Sequence, residues 1–164
     1  MKLAEALIER ADLQCRLEQL KQRLNQNAQY QEGEEPAESP EALLAEYRQA
    51  ATKLEQLIVK INLANNRIQL ESGQLMVEAL AKRDRLKAEH NTLINLADAA
   101  TQTFDRYSRS EIKTLSAIDV KNIRTQIDEI AKQHRQLDTQ IQQANWLREI
   151  SIKYGIPIQS EYNL

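Results

Sequence analysis

The sequence predicts an all-α fold, an elongated antiparallel four-helix bundle. Four segments of about 26–30 residues repeat apolar side chains every three or four positions, which is the period of an amphipathic helix. Only three glycines and three prolines occur in 164 residues, and aromatic residues make up 4%. The abundance of Leu, Ala, Gln, Glu, Lys and Arg also favours helix. Short connections would make neighbouring helices antiparallel.

A second architecture buries the same apolar stripes. In it, two helical hairpins open and pair with another copy of the chain, as in a coiled coil. The periodicity leaves both arrangements open. In either case we expect one helical-bundle domain over 1–148, followed by a C-terminal tail over 149–164.

The first helix is expected over about 2–28. Its apolar stripe consists of Leu3, Ala6, Leu13, Leu17, Leu20 and Leu24, followed by Asn27. The acidic stretch over 31–40 then holds two prolines and a glycine, a composition typical of a loop.

The second helix is expected over about 40–69. Ser39 is a suitable N-cap, Pro40 fits the first helical position, and the Glu41 carboxylate opposes the positive end of the helix dipole. The main stripe consists of Leu43, Tyr47, Ala50, Leu54, Leu57, Ile61, Ala64 and Ile68. Leu44, Ala51 and Ile58 widen this stripe, which favours a helix that touches two neighbours.

The third helix is expected over about 74–104 and the fourth over about 119–148, with Asp119 as N-cap. The stripe of the third helix consists of Met76, Ala79, Leu86, Leu93, Ala97, Ala100 and Phe104. The stripe of the fourth helix consists of Val120, Ile123, Ile127, Ile130, Leu137, Ile141 and Ala144. The connection over 105–118 is long for a hairpin loop. A short β element that pairs Glu111–Leu115 with the tail is a candidate addition to the helices.

Charge and composition exclude several functional classes. The net charge of −2 argues against a general nucleic-acid coat, which needs a strong basic excess. Cys15 is the only cysteine, so the chain forms no internal disulfide. The longest apolar run is four residues, far below the ~20 that a membrane-spanning helix needs. We expect a cytoplasmic protein that binds neither nucleic acid nor membrane.

Several runs spread over the chain resemble a known family. They are Met1–Leu7, Arg10–Gln14, Gln31–Gly33, Ile61–Asn62, Arg106–Lys113, Asp119–Val120, Leu137–Asp138 and Asn145–Trp146. Over about 1–148 the chain resembles small bacterial proteins of unknown function, some of which carry the label septicolysin. The resemblance implies a helical bacterial protein and supplies no catalytic residues.

The connection between the third and fourth helices holds the most site-like cluster of side chains. Its members are Arg106, Tyr107, Arg109, Ser110, Glu111 and Lys113. Arginine, lysine and hydroxyl groups in an irregular loop suit a phosphate or a carboxylate. The alternative is a loop that forms salt bridges across the end of the bundle.

Two histidines occupy stripe positions. Counting outward from the middle of the 105–118 connection places His90 and His134 at one level on facing helices. Two such imidazoles are candidate ligands for a transition metal. The alternative is a polar layer without a ligand. A di-iron site of the ferritin type is excluded, because Lys87 and Ala131 stand where it needs glutamates.

Three further features have competing interpretations. Arg10 and Arg83 interrupt apolar stripes, so each either pairs with a carboxylate on a neighbouring helix or extends to solvent at the stripe edge. Asn27 fits a role in alignment or a polar pocket. Trp146 falls outside its helix stripe, which favours a packing contact with the tail or another subunit.

Three functions remain open from the sequence. The first is a non-enzymatic structural or protein-interaction module that self-associates and binds a further protein partner, without a cofactor. The second is a helical bundle that binds a small ligand or metal through the 105–113 loop or through His90 and His134. The third is a lysin-like toxin, for which the sequence shows neither an export signal nor an amphipathic insertion element.

Overall fold

A computed structural model describes residues 1–101 and 115–150. The fold is all-α, as predicted. Its helices are α1 (Leu3–Gln26), α2 (Pro40–Asn65), α3 (Met76–Thr101) and α4 (Val120–Leu147). The chain divides into two compact units, one of Met1–Asn65 with the segment from Asn145 onward and the other of Asn66–Ala144.

Most buried apolar side chains lie on the predicted stripes, with Ala4 and Leu70 as buried residues outside them. They include Leu3, Ala6, Leu13 and Leu20 in α1, Leu43, Ala50, Leu57, Ile61 and Ala64 in α2, Met76, Ala79, Leu86 and Ala97 in α3, and Ile130, Leu137, Ile141 and Ala144 in α4. Burial of these side chains is the main favourable contribution to folding, at roughly 1.5–3 kcal/mol for each large one.

In the first unit, α1 and α2 form an antiparallel hairpin. Arg16 pairs with Glu46 at 2.7 Å, and Arg23 Nε donates to Glu38 Oε2 at 2.9 Å. As residue numbers rise along α1, those of the partners fall, which establishes the antiparallel direction. The core cluster of this hairpin consists of Leu20, Leu43 and Ala50, with Leu17, Leu24 and Tyr47 packed against it.

Asn27 fastens the end of α1 to the loop after it. It is 8% exposed, its Nδ2 donates to the Arg23 carbonyl at 2.9 Å, and its Oδ1 accepts from the Glu38 amide at 3.0 Å. The side chain therefore joins the last turn of α1 to the backbone of the loop that precedes α2. Of the two interpretations, these contacts favour alignment over a polar pocket.

The predicted helix starts are confirmed for α2 and α4. Ser39 Oγ accepts from the Ala42 amide at 3.3 Å at the start of α2. Asp119 Oδ1 accepts from the amides of Lys121 and Asn122 at 3.0 and 3.1 Å at the start of α4. Both side chains act as N-caps, which satisfy amides in the first helical turn.

The end of α2 differs from the prediction, because the helix stops at Asn65 and not near 69. Ile68 and Leu70 are buried on either side of the exposed Gln69, which is the alternation of an extended segment. Gln69 bridges to Leu75, and the Met76 amide donates to the Ile68 carbonyl at 2.8 Å. Gly73 closes this turn with a φ of +82°, a conformation that favours glycine.

The segment after α4 pairs with the start of the chain. The Leu3 amide donates to the Arg148 carbonyl at 3.0 Å, and the Ile150 amide donates to the Met1 carbonyl at 2.8 Å. Lys2 and Glu149 thus form an isolated antiparallel bridge. The predicted pairing of Glu111–Leu115 with the tail falls on 111–114 and 151–164, which lie outside the described residues.

No helix within 1–101 and 115–150 combines the length and apolar character that crossing a bilayer requires.

Replacing Leu20 by Ala should lower the free energy of unfolding by about 2–5 kcal/mol, because Leu20 is 1% exposed and its loss leaves a cavity in the α1–α2 core. Urea unfolding followed by circular dichroism measures this change. The control is Leu115→Ala at a side chain that is 82% exposed, where we expect a change below about 0.5 kcal/mol. Equal losses in the two variants would contradict the assignment of the core.

The pair of Arg23 and Glu38 predicts a pH-dependent contribution to stability. The hydrogen bond from Arg23 holds the pKa of the Glu38 carboxyl below its ordinary value. Such a carboxylate stabilises the fold above its unfolded pKa, and the contribution disappears as the pH falls through the folded pKa.

We therefore expect Glu38→Gln to lower the Tm at pH 7. The difference from the parent chain should close as the pH falls below about 4, where glutamates become protonated. Thermal melts between pH 3 and pH 7 measure it. Glu35→Gln, which changes an exposed carboxylate in the same loop, is the control and should show a smaller Tm difference at pH 7.

Candidate functional site

A cleft of about 670 Å³ opens between α3 and α4 in the second unit. Its walls are formed by Arg83, Asp84, Lys87, His90 and Asn91 of α3 and by Ala131, His134, Arg135 and Asp138 of α4. Residues three, four and seven positions apart share one face of a helix. Both walls follow that spacing, so each helix turns one continuous polar edge toward the cleft.

The structure brings His90 and His134 together as walls of this one cleft. Both histidines are half-buried. Each stands at a stripe position where its helix otherwise carries apolar residues. The imidazoles therefore lie at the border between the apolar seam of the two helices and solvent.

Arg83 links the two helices at the cleft. Its Nη2 donates to Asp84 Oδ1 at 3.0 Å, and its Nη1 lies 3.9 Å from Asp138 Oδ1 on α4. The Arg83 side chain is 30% exposed. Of the two interpretations of this arginine, a carboxylate on a neighbouring helix is the one that the structure favours.

The remaining charged groups of the cleft are cations. Lys87 and Arg135 are exposed and make no ion pair within the part of the chain that the structure describes. Both carboxylates of the cleft, Asp84 and Asp138, already face Arg83. The groups left to meet a ligand are therefore hydrogen-bond donors and imidazoles.

The described part of the cleft supplies fewer ligands than a metal site ordinarily has. Over residues 1–101 and 115–150, the structure contains no group of three or more His, Cys, Asp or Glu side chains placed to hold a metal ion. A metal at His90 and His134 would have two protein ligands, whereas structural zinc sites have four and catalytic ones three. Metal binding by these histidines stays a prediction.

Three other predicted features have different outcomes. The loop cluster of Arg106, Tyr107, Arg109, Ser110, Glu111 and Lys113 lies outside the described residues. Arg10 is half-buried, and its Nε is buried without a hydrogen-bond partner in the described part of the chain. Trp146 is 52% exposed, beside Leu147 at 68%. Its contact with the tail or another subunit stays a prediction.

A second candidate surface lies on α2, on the side of the helix next to the buried stripe. We call it the outer stripe of α2, and it consists of Leu44, Arg48, Ala51, Glu55, Ile58 and Val59. Leu44 is 38%, Ile58 37% and Val59 41% exposed. Leu44, Ala51 and Ile58 recur every seventh residue, which keeps them on one side of the helix. The sequence pattern alone assigns these three residues to a second neighbouring helix.

The outer stripe carries one charge of each sign. Arg48 and Glu55 are both exposed, and neither forms an ion pair within the ranges that the structure describes. They are two helical turns apart, about 10 Å along the axis, which is too far for a direct ion pair. Each charge is therefore available to a group outside its own helix.

The chain matches the model of a family of unknown function, DUF6847, over residues 10–150. It belongs to this family. The resemblance to a family of unknown function is thereby confirmed in its general form. The comparisons give no support to the septicolysin label.

A crystal structure of another protein shares the fold of this DUF6847 member. It is that of a functionally unknown conserved protein from Corynebacterium diphtheriae, with 40% sequence identity and a TM-score of 0.86. The match covers 92% of this chain and 99% of the other. No curated protein matches the chain.

Proposed function

We propose that this DUF6847 protein is a non-enzymatic interaction module of the bacterial cytoplasm that self-associates through the outer stripe of α2. The observation that carries the proposal is the set of exposed apolar side chains at helical spacing on that stripe. The main stripe of α2 already packs in the first unit, so the outer stripe is additional apolar surface. A second protein surface would remove it from water, at a gain of roughly 25 cal/mol for each Å² of apolar area.

The pattern of the outer stripe is self-complementary. A two-fold axis between Ala51 and Thr52 would place two copies of α2 antiparallel. Leu44 of one copy would then lie level with Ile58 and Val59 of the other. The small Ala51 side chains would meet at the centre, where the two backbones come closest. Such an isologous contact uses the same surface patch on both partners.

The charges of the stripe fit the same axis. Arg48 of one copy would stand opposite Glu55 of the other, and the symmetry would form this pair twice. Complementary charges beside an apolar helix seam select the partner and its direction. This agreement between the apolar and charged residues supports a second copy of the chain as the occupant of the stripe.

The non-enzymatic part of the proposal rests on the chemistry of the sequence. It contains no G-x-S-x-G motif, the strand-to-helix turn that exposes a catalytic serine in many hydrolases. Cys15 is exposed and has no neighbouring histidine in the sequence to act as its base. Self-association would create a composite surface for the further protein partner expected from the sequence.

Charge reversal on the outer stripe tests this function. The parent chain should be a dimer by size-exclusion chromatography with light scattering. Arg48→Glu and Glu55→Arg should each weaken dimerisation by about tenfold, because each places like charges opposite one another at both symmetric positions. The double variant Arg48→Glu/Glu55→Arg restores opposite charges and should recover most of the lost affinity.

The matched control is Lys53→Glu, a charge reversal on another side of α2. Lys53 lines a separate groove of about 280 Å³ beside Arg16 and Glu46. This variant should dimerise as the parent does. A parent chain that stays monomeric at high concentration would contradict self-association. A double variant as weak as the singles would contradict the antiparallel axis.

A further inference from the structure

We infer that the cleft between α3 and α4 binds a small polar molecule through an oxyanion, a phosphate or carboxylate group, held by Lys87, Arg135, His90 and His134. This site is independent of the outer stripe of α2, so neither proposal depends on the other. The inference rests on the composition of the walls, on the ion pairs already formed there and on the size of the cleft.

The walls present donors from both helices. Lys87, His90 and Asn91 stand within one helical turn of α3, and His134 and Arg135 are adjacent on α4. The lysine ammonium, the arginine guanidinium and the asparagine amide all donate hydrogen bonds, and an imidazole donates from one or both ring nitrogens. Guanidinium groups match the geometry of phosphate and carboxylate oxygens in particular.

The ion pairs of the cleft leave this donor set available. Arg83 stands 3.0 Å from Asp84 and 3.9 Å from Asp138, so the two carboxylates face a cation that is part of the wall. Lys87 and Arg135 face no such carboxylate in the described residues. An incoming anion therefore meets unpaired positive charge, whereas a metal cation would meet repulsion from it.

The shape of the cleft indicates the size and polarity of the ligand. Its volume of about 670 Å³ lies within the ~300–1,000 Å³ typical of small-molecule sites. Ala131, with its single methyl side chain, faces the cleft on α4 and leaves space between the helices. No Phe, Tyr or Trp lines the walls over the described part of the chain, so the lining is predominantly polar. A compact phosphorylated or polycarboxylic molecule fits these properties.

The two histidines make binding depend on pH. Histidine is the side chain whose charge ordinarily changes between about pH 5 and 8. The charged groups that face the imidazoles are Arg83, Asp84 and Lys87 on α3 and Arg135 and Asp138 on α4. Protonation would add positive charge to a cleft whose carboxylates already face Arg83. The affinity for an anion whose own charge stays constant should therefore rise as the pH falls from 8 to 6.

Calorimetric titration with inorganic phosphate and with citrate tests the site, at constant ionic strength set with sodium chloride. We expect saturable binding of at least one of the two anions, and the pair of titrations tells a phosphate site from a carboxylate site. The pH dependence is measured with sulfate, an oxyanion whose own charge stays constant between pH 6 and pH 8, whereas phosphate and citrate both gain a proton over this range. Affinity for sulfate should be about tenfold higher at pH 6 than at pH 8, which corresponds to one additional charge-assisted hydrogen bond.

Two variants and one control locate the binding. Arg135→Glu should weaken it by about tenfold or more. Lys132→Glu makes the same change of charge on the exposed side of α4, outside the cleft, and should leave it within about twofold of the parent. His90→Gln/His134→Gln should remove the difference between pH 6 and pH 8. Circular dichroism confirms that each variant keeps its helices.

Three results would overturn the proposal. One is the absence of saturable binding of either anion by the parent chain at pH 6. Another is an equal loss of affinity in Arg135→Glu and Lys132→Glu, which would show that the anion responds to the overall charge of the protein and not to the cleft. The third is a pH dependence of sulfate binding that persists in the double histidine variant.

Discussion

The structure depends on burying apolar stripes that are wider than one neighbouring helix covers. On α2 the main stripe packs in the first unit, where Leu43 is 3% and Ile61 2% exposed. The next positions round the helix, among them Leu44 and Ile58, stay more than a third exposed. Apolar surface in water costs free energy in proportion to its area. This exposed apolar surface on α2 is the observation on which the proposal of self-association rests.

Polar groups set the alignment of the helices, which apolar stripes leave loosely defined. An ion pair forms at one offset of the two helices, whereas a leucine finds an apolar neighbour at several offsets. In the first unit, Arg16 with Glu46 and Arg23 with Glu38 fix the hairpin at two levels, and Asn27 ties the loop to the same place. The contact of Arg83 with Asp138 aligns α3 with α4 in the same way. Exposed ion pairs contribute little energy, so their main effect here is on register.

Features of the fold that arise from periodicity and capping could be predicted from the sequence, whereas those that depend on tertiary contacts could not. The stripes and the caps at Ser39 and Asp119 are local patterns, so one sequence suffices to find them. The apolar pattern predicts an end of α2 that is too late in the sequence, because Ile68 fits both the helical stripe and the alternation with Leu70. The two histidines could be assigned to facing helices by counting. The pairing of Arg83 with two aspartates, and the charge that it leaves unpaired in the cleft, required coordinates.

The bridge between Lys2 and Glu149 has a consequence for protein engineering. Since the Met1 carbonyl accepts a hydrogen bond from Ile150, the first residue belongs to the folded structure. The bridge also holds the start of α1 beside the end of α4. A cut in the loop around Gly33 would leave all four helices uninterrupted, so the two pieces could be tested for reassembly through this bridge and the α1–α2 hairpin.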